Sequence, residues 1–289
     1  ILTFIFKTLW ILCRGLGVLL LSVLDLTRLI GEERKAALKQ SFWKMILWGV
    51  GLGTVALVLL VLWVSKDLPD PNRITDRNIA QSTKIYDRTG EHILYEVYAD
   101  EKRTLVTIDK LPQHLIDGVI ATEDTKFYEH AGIRPLSFLR AAVFGLLPGR
   151  RAAGTSTLTQ QLVKNAILTN ERSYIRKLKE VILSLRLEQK YTKDQILQIY
   201  FNEIPYGSTN FGVETAAQSY FGKSVAELNL QEAATLAGFP KAPSRYLNNP
   251  EALLERRNFV LRRMYEEGYI TEEEKTSAQN EPLTLSRTF

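Results

Sequence analysis

The sequence holds a single cysteine, Cys13, among 289 residues. An intrachain disulfide and a cysteine-based metal site are therefore excluded. No internal repeat and no low-complexity tract is visible, and hydrophobic residues at 45% with charged residues at 24% match ordinary folded proteins. Disordered and collagen-like chains are excluded on the same grounds. Also missing is a small-residue cleavage site behind a short apolar core, which disfavours a removed signal peptide. What the chain does have is asymmetry: residues 1–64 are far more apolar than the rest, which reads as a polar, folded body. A formal charge of +5 and an isoelectric point near 9.1 favour anionic partners, whether nucleic acid, phospholipid headgroups or a phosphorylated substrate.

Residues 42–64 (FWKMILWGVGLGTVALVLLVLWV) carry one charge, Lys44, near the start, and Trp43, Trp48 and Trp63 toward the ends. A helix crosses the hydrocarbon core in about 20 residues, and tryptophan favours the interface, so this segment is expected to span a membrane. Residues 1–30 are apolar but carry Lys7, Arg14, Asp25 and Arg28. Arg14 in mid-segment leaves two readings open, a second span or an interfacial helix. The chain does not begin with methionine, and its true start is expected upstream. Before the span lie Arg28, Arg34, Lys35, Lys39 and Lys44 against Glu32 and Glu33; after it, Lys66, Arg73 and Arg77 are diluted by Asp67, Asp70 and Asp76. That excess places the early loop in the cytoplasm and the body outside it, which argues against nucleic acid as the partner.

Four segments follow: 1–41, the apolar and basic amino-terminal part with a cytoplasmic loop; 42–65, the span; 66–111, a linker and β stalk; and 112–285, a mainly α domain. Residues 83–108 alternate in the manner of strands, with a turn at Asp87-Arg88-Thr89-Gly90 and a further strand at Leu105-Val106-Thr107-Ile108. From Pro112 onward helical periodicity takes over, as in Leu178, Ile182 and Leu185, or Ile196, Ile199 and Tyr200, with Thr192 as N-cap and further helices over 230–237 and 250–267.

Four clusters concentrate polar residues that a core would not want. The first, 121–132, has adjacent Glu123 and Asp124, which point in different directions on a helix, so that one can face a cleft while the other braces. The second, 154–165, sets Ser156, Gln161, Lys164 and Asn165 beside a glycine, a hydrogen-bonding wall suited to a sugar or phosphate. The third, 171–188, gathers Arg176, Lys177 and Glu180 on neighbouring faces of one helix. The fourth, 193–202, looks structural, with Tyr200 and Asn202 as buried braces. Taken singly, the first and third also fit a solvated acidic turn and a surface ion-pair ladder.

In this order the clusters read E-D-x-x-F-x-x-H-x-G at 123–132, G-x-S-T-x-T-Q-Q-x-x-K-N at 154–165, R-K-x-x-E at 176–180 and K-D-x-I-L-x-x-Y-x-N at 193–202, followed by R-R-x-x-V-L at 256–261. Together they resemble the peptidoglycan glycosyltransferase domain of class A penicillin-binding proteins and monofunctional murein polymerases. Thr155 departs from a usual glycine and Gln198 from a common glutamate. The resemblance implies a lysozyme-like α-helical domain with a small β stalk and an N-terminal transmembrane helix. It implies polymerisation of lipid II into glycan strands by inverting transfer, with release of undecaprenyl pyrophosphate. Glu123 then corresponds to the general base and Glu180 to a second carboxylate that positions groups or coordinates a cation near the donor pyrophosphate. Lys164, Arg172, Arg176, Lys177 and Lys241 correspond to pyrophosphate-binding cations, and Ser156, Gln161 and Asn165 to sugar or phosphate hydrogen-bonders. His130 is expected to brace the fold. Residues 133–147 resemble the family's membrane-dipping element, and residues 148–154 a mobile basic loop suited to lipid headgroups.

No cofactor is required by this correspondence, although a divalent cation, Mg or Mn, near Glu180 stays open. The partners implied are lipid II, the growing glycan strand, membrane lipids and the cell-wall synthesis machinery, with no nucleic acid. The implied location is the bacterial cytoplasmic (inner) membrane, single-pass or two-pass, with the catalytic domain on the extracytoplasmic face. Two alternatives remain: a lysozyme-like glycan hydrolase, against which the cations argue since a hydrolase meets no pyrophosphate, and a non-catalytic membrane-anchored scaffold. The S-x-x-K, S-x-N and K-T-G set of penicillin-binding transpeptidases is absent as a group, Ser41-Phe42-Trp43-Lys44 matching the first only at the membrane edge, so no transpeptidation is expected.

Overall fold

The apolar stretch forms one long helix, α1 (Glu32–Lys66). Its Gln40–Lys66 portion, 27 residues, is long and apolar enough to cross a membrane. Trp43, Leu47, Trp48, Leu52 and Trp63 are exposed along it. The hydroxyl of Thr54 donates to the Val50 carbonyl at 2.8 Å, which satisfies a polar atom that lipid would leave orphaned. The computed structural model describes residues 32–66, 68–69, 82–89, 93–97, 101–135, 156–168 and 173–285. The first apolar segment, most of the linker, the stretch 133–147 from residue 136 onward, the loop 148–154 with Thr155, and Arg172 lie outside the described residues. The chain divides into two compact units, Ile1–Trp63 and Val64–Phe289.

The second unit opens with the expected hairpin, β1 (Thr83–Tyr86) against β2 (Ile93–Val97), antiparallel. Leu105–Ile108 is not the strand that its alternation suggested. The strand is β3 (Lys102–Arg103), and the residues after it are extended but give their backbone groups to side chains. The Thr104 amide donates to Thr215 Oγ1 at 2.8 Å and the Ile108 amide to Gln198 Oε1 at 3.0 Å. Asn202 brackets Val106, accepting from its amide at 2.9 Å and donating to its carbonyl at 2.8 Å. With those groups satisfied, no partner strand is needed.

Helices then follow: α2 (Gln113–Glu123), α3 (Leu158–Ala166), α4 (Tyr174–Lys190) and α5 (Lys193–Glu203). The short strands β4 (Pro205–Gly207) and β5 (Asn210–Phe211) join β3 in a three-stranded sheet of order β3-β5-β4, β3 being parallel to β5. After them come α6 (Val213–Phe221), α7 (Leu230–Gly238), α8 (Pro243–Asn248), α9 (Pro250–Glu266) and α10 (Glu272–Asn280). The body is mainly α, as expected. Its helix starts are specified locally: Thr157, Thr192, Asn229 and Thr271 each form a reciprocal capping box with the third residue of the helix they begin.

The core is centred on α2, which packs against α7 and α9 and buries Leu115, Val119 and Ile120. Gly118 makes that contact close, since a Cβ there would lie 3.1 Å from Ala237 Cβ and 3.4 Å from Met264 Sδ. The chain leaves α2 at Asp124, whose φ of −157° and ψ of 77° are no longer helical, so Glu123 is the helix's last residue. A carboxylate at a helix C-terminus is electrostatically misplaced, and arginines of α9 compensate.

Candidate active site

Glu123 leaves the end of α2 with 16% of its side chain exposed. Each of its oxygens has one donor: Gln161 Nε2 on Oε2 at 3.0 Å and Arg256 Nη2 on Oε1 at 2.8 Å. Tyr200, fully buried, donates its hydroxyl to Gln161 Oε1 at 3.4 Å. Burial first, and then the negative charge of Glu123, push the Tyr200 phenol well above the ordinary tyrosine range, with Arg256 acting in the opposite sense. Arg256 also donates from Nε to the Gly238 carbonyl at 3.2 Å and lies over the Phe259 ring at 5.1 Å. The short turn Phe239–Lys241 after α7 brings Lys241 Nζ to 6.0 Å from the same ring.

The adjacent carboxylate does the bracing. Asp124 is buried, and its Oδ2 accepts from His130 Nε2 at 2.8 Å and from the Leu158 amide, in the first turn of α3, at 3.1 Å. Arg134 Nη1 lies 3.6 Å from the other oxygen. His130 Nδ1 accepts from the Gly132 amide at 3.1 Å, which assigns the proton to Nε2 and makes His130 a brace rather than a ligand. Gly132 has φ +84°, and a Cβ there would meet the Ser184 carbonyl oxygen at 2.8 Å. This turn is thus locked against α4 just below the end of α2.

Glu180 forms a second constellation. Its side chain is buried, at 4% exposure, so the pairing on α4 is not a surface ladder. Lys177 Nζ lies 2.7 Å from Oε2 and Arg176 Nε 3.4 Å from Oε1, and Lys177 also donates to Ser156 Oγ at 3.0 Å. Ser156 precedes α3 by two residues and Gln161 is its fourth residue, so both constellations are tied to one helix end. Lys164 and Asn165, exposed, follow Gln161 by three and four residues and share its face of α3. Among the described residues no group of three or more His, Cys, Asp or Glu side chains could hold a metal.

A family model described as Transglycosylase matches residues 90–265. The chain belongs to the transglycosylase family. Penicillin-binding protein 1A of Aquifex aeolicus (strain VF5) is 46% identical over 235 residues, 81% of this chain and 32% of that protein. The protein of the same name from Escherichia coli (strain K12) is 42% identical over 237 residues, 81% of this chain and 28% of that protein. A crystal structure of penicillin-binding protein 1A from Haemophilus influenzae aligns with 30% identity and a TM-score of 0.43, over 74% of this chain and 22% of that one. The chain therefore spans about a third or less of the length of these curated relatives.

The sequence expectations for this transglycosylase divide as follows. Glu123 is held by Gln161 of α3, whose face Lys164 and Asn165 share toward the helix end, and Lys241 lies against the same Phe259 ring as Arg256, while Glu180, Arg176, Lys177 and Ser156 form a second group. One residue was missed, Arg256, which pairs with Glu123; Tyr200, read as a buried brace, is one, and it reaches Gln161. The R-R-x-x-V-L motif contained the signal for Arg256, but adjacent arginines on a helix diverge. Arg257 turns inward, donating to the Gln279 carbonyl at 2.7 Å and the Glu281 carbonyl at 2.8 Å to close the end of α10.

Proposed function

We propose that this domain polymerises lipid II into glycan strands at the outer face of the cytoplasmic membrane. The 4-hydroxyl of an acceptor GlcNAc attacks C1 of the MurNAc at the reducing end of the growing chain, forming the O4–C1 bond with inversion. The C1–oxygen bond to the pyrophosphate breaks, and undecaprenyl pyrophosphate departs with the electron pair. Glu123 takes the hydroxyl proton as it attacks. Lys164, Arg172, Arg176, Lys177 and Lys241 stabilise the charge building on the diphosphate, while Glu180 holds Arg176 and Lys177 in place for it. Ser156 and Asn165 hydrogen-bond the sugar or phosphate groups. The lysine and arginine excess over 28–44, at the start of α1 and just before it, supports an outward-facing body, and the partners follow from the substrate: the glycan strand, membrane lipids and the cell-wall synthesis machinery.

One observation carries this reading: a clamped yet solvent-reachable carboxylate, Glu123, and a separate carboxylate paired with two cations, Glu180, are both tied to α3, the first by Gln161 and the second through Lys177 to Ser156 just before it. A base and an anion-binding group are what glycosyl transfer from a pyrophosphate donor requires, and a glycan hydrolase has no use for the second. The test is incubation of the full chain in detergent with labelled lipid II. Polymer and released polyprenyl pyrophosphate are expected from wild type and not from Glu123→Gln. Shortening of preformed glycan, or equal polymer from both proteins, overturns the assignment.

A further inference from the structure

We propose that Arg256 is the positioning residue for Glu123, a role that rests on Glu123 being the base. A glutamate at the end of a helix has three side-chain torsions free to wander, whereas a base must present one oxygen at a fixed place. Here each oxygen is tied by a single donor, Gln161 to Oε2 and Arg256 to Oε1, so the plane of the carboxylate is set. Each oxygen has two lone pairs, so one on each is left for an incoming hydroxyl.

Arg256 is itself held from three directions. Its Nε donates to the Gly238 carbonyl at 3.2 Å, its guanidinium lies over Phe259 at 5.1 Å, and its side chain is only 6% exposed. Gly238 supplies the room: a Cβ there would fall 2.8 Å from Arg256 Cγ. The planar guanidinium thus gives Nε to the backbone at the end of α7 and Nη2 to Glu123, a division that a lysine ammonium reproduces only in part. The nearby arginines of α9 are otherwise engaged, Arg257 at the end of α10 and Arg263 with the Ala121 carbonyl, Glu266 and Glu267.

The experiment measures kcat and KM for polymerisation of labelled lipid II by the full chain in detergent, with a melting temperature for every variant. Arg256→Met is expected to lower kcat by about 100-fold with KM within about twofold, the signature of a misplaced base rather than of lost binding. Arg256→Lys keeps a charge and a donor, and is expected to recover about tenfold of that loss. Gly238→Ala pushes Arg256 from the backbone side without changing a polar group. It is expected to lower kcat by about tenfold at unchanged KM, and it decides the question should the methionine variant fail to fold. Equal losses in the methionine and lysine variants that track melting temperature overturn the proposal, as does an undiminished kcat in either Arg256→Met or Gly238→Ala. Failure of the underlying assignment looks different, because Glu123→Gln would then polymerise like wild type.

Discussion

Glu123 and Glu180 are both carboxylates held by two side-chain partners, yet their surroundings are assembled in opposite ways. Glu180 takes its cations from three and four residues earlier on its own helix, and among the described residues Ser156 joins from elsewhere by accepting from Lys177. Glu123 takes its donors from 38 and 133 residues away. The first arrangement forms whenever α4 forms; the second exists only once α2, α3, α7 and α9 have come together. A local ion cluster suits a part whose task is to carry charge, since charge acts over several ångströms and tolerates small displacements. A base tolerates them poorly, which is why its orientation is set by the tertiary structure.

The largest effect expected from that contrast is at Glu123. Replacement by glutamine keeps shape and an acceptor for Arg256 but removes the base, and is expected to lower kcat by about 10³-fold, or about 4 kcal/mol of transition-state stabilisation. Stability is expected to fall by about 1 kcal/mol, since Arg256, 6% exposed, loses its charged partner but keeps the glutamine oxygen and the Gly238 carbonyl as acceptors. Glu180→Gln is expected to lose more stability. It leaves Arg176 and Lys177 facing each other without a carboxylate, at a cost of about 1–3 kcal/mol, the upper range for buried pairs being reduced because Lys177 is partly exposed. Urea denaturation of the two variants side by side checks this, and a greater loss of stability in Glu123→Gln than in Glu180→Gln breaks the division between the two regions.

The same contrast explains what was legible in the sequence. Periodicity and capping act within a few residues, so the helix at Lys193–Glu203 with its Thr192 cap, the helices beginning at Leu230 and Pro250, and the Glu180 cluster could all be read from spacing. The β1–β2 hairpin was legible from its alternation and turn. Leu105–Ile108 misled because its alternation is real, but its backbone groups are met by Asn202 and Gln198 at sequence separations of 96 and 90. The parallel pairing of β3 with β5 and the choice of Arg256 over Arg257 for Glu123 are likewise long-range, and no local pattern encodes which of two neighbouring arginines turns toward a distant helix end. The clusters were legible as motifs, while the contact between Glu123 and Arg256 was visible only in the packed structure.

The smallest predicted effect tests whether the Glu123 region is as enclosed as its contacts imply. Tyr200 and Tyr206 are fully buried, and burial pushes both phenols above the usual tyrosine range, with Glu123 adding to the rise at Tyr200. The unfolded chain releases those protons from about pH 10, while the folded chain keeps them to higher pH. Above pH 10 the folded state therefore binds more protons than the unfolded state, and stability falls as pH rises; below pH 10 the two states are equally protonated and these groups contribute no slope. Each such phenol adds up to about 1.4 kcal/mol per pH unit to the decline. Tyr200→Phe removes one of them, so its stability is expected to fall less steeply between about pH 10 and 11 in urea titrations. At neutral pH it loses only the long 3.4 Å contact to Gln161, worth about 1 kcal/mol or less, and kcat is expected to fall by less than about threefold because Gln161 keeps its bond to Glu123. Lys177→Ala, in the Glu180 region, touches neither phenol and is expected to leave the share of the alkaline decline due to the tyrosines intact. An alkaline slope in Tyr200→Phe as steep as that of wild type means that water reaches the phenol, and with it the floor beneath Glu123.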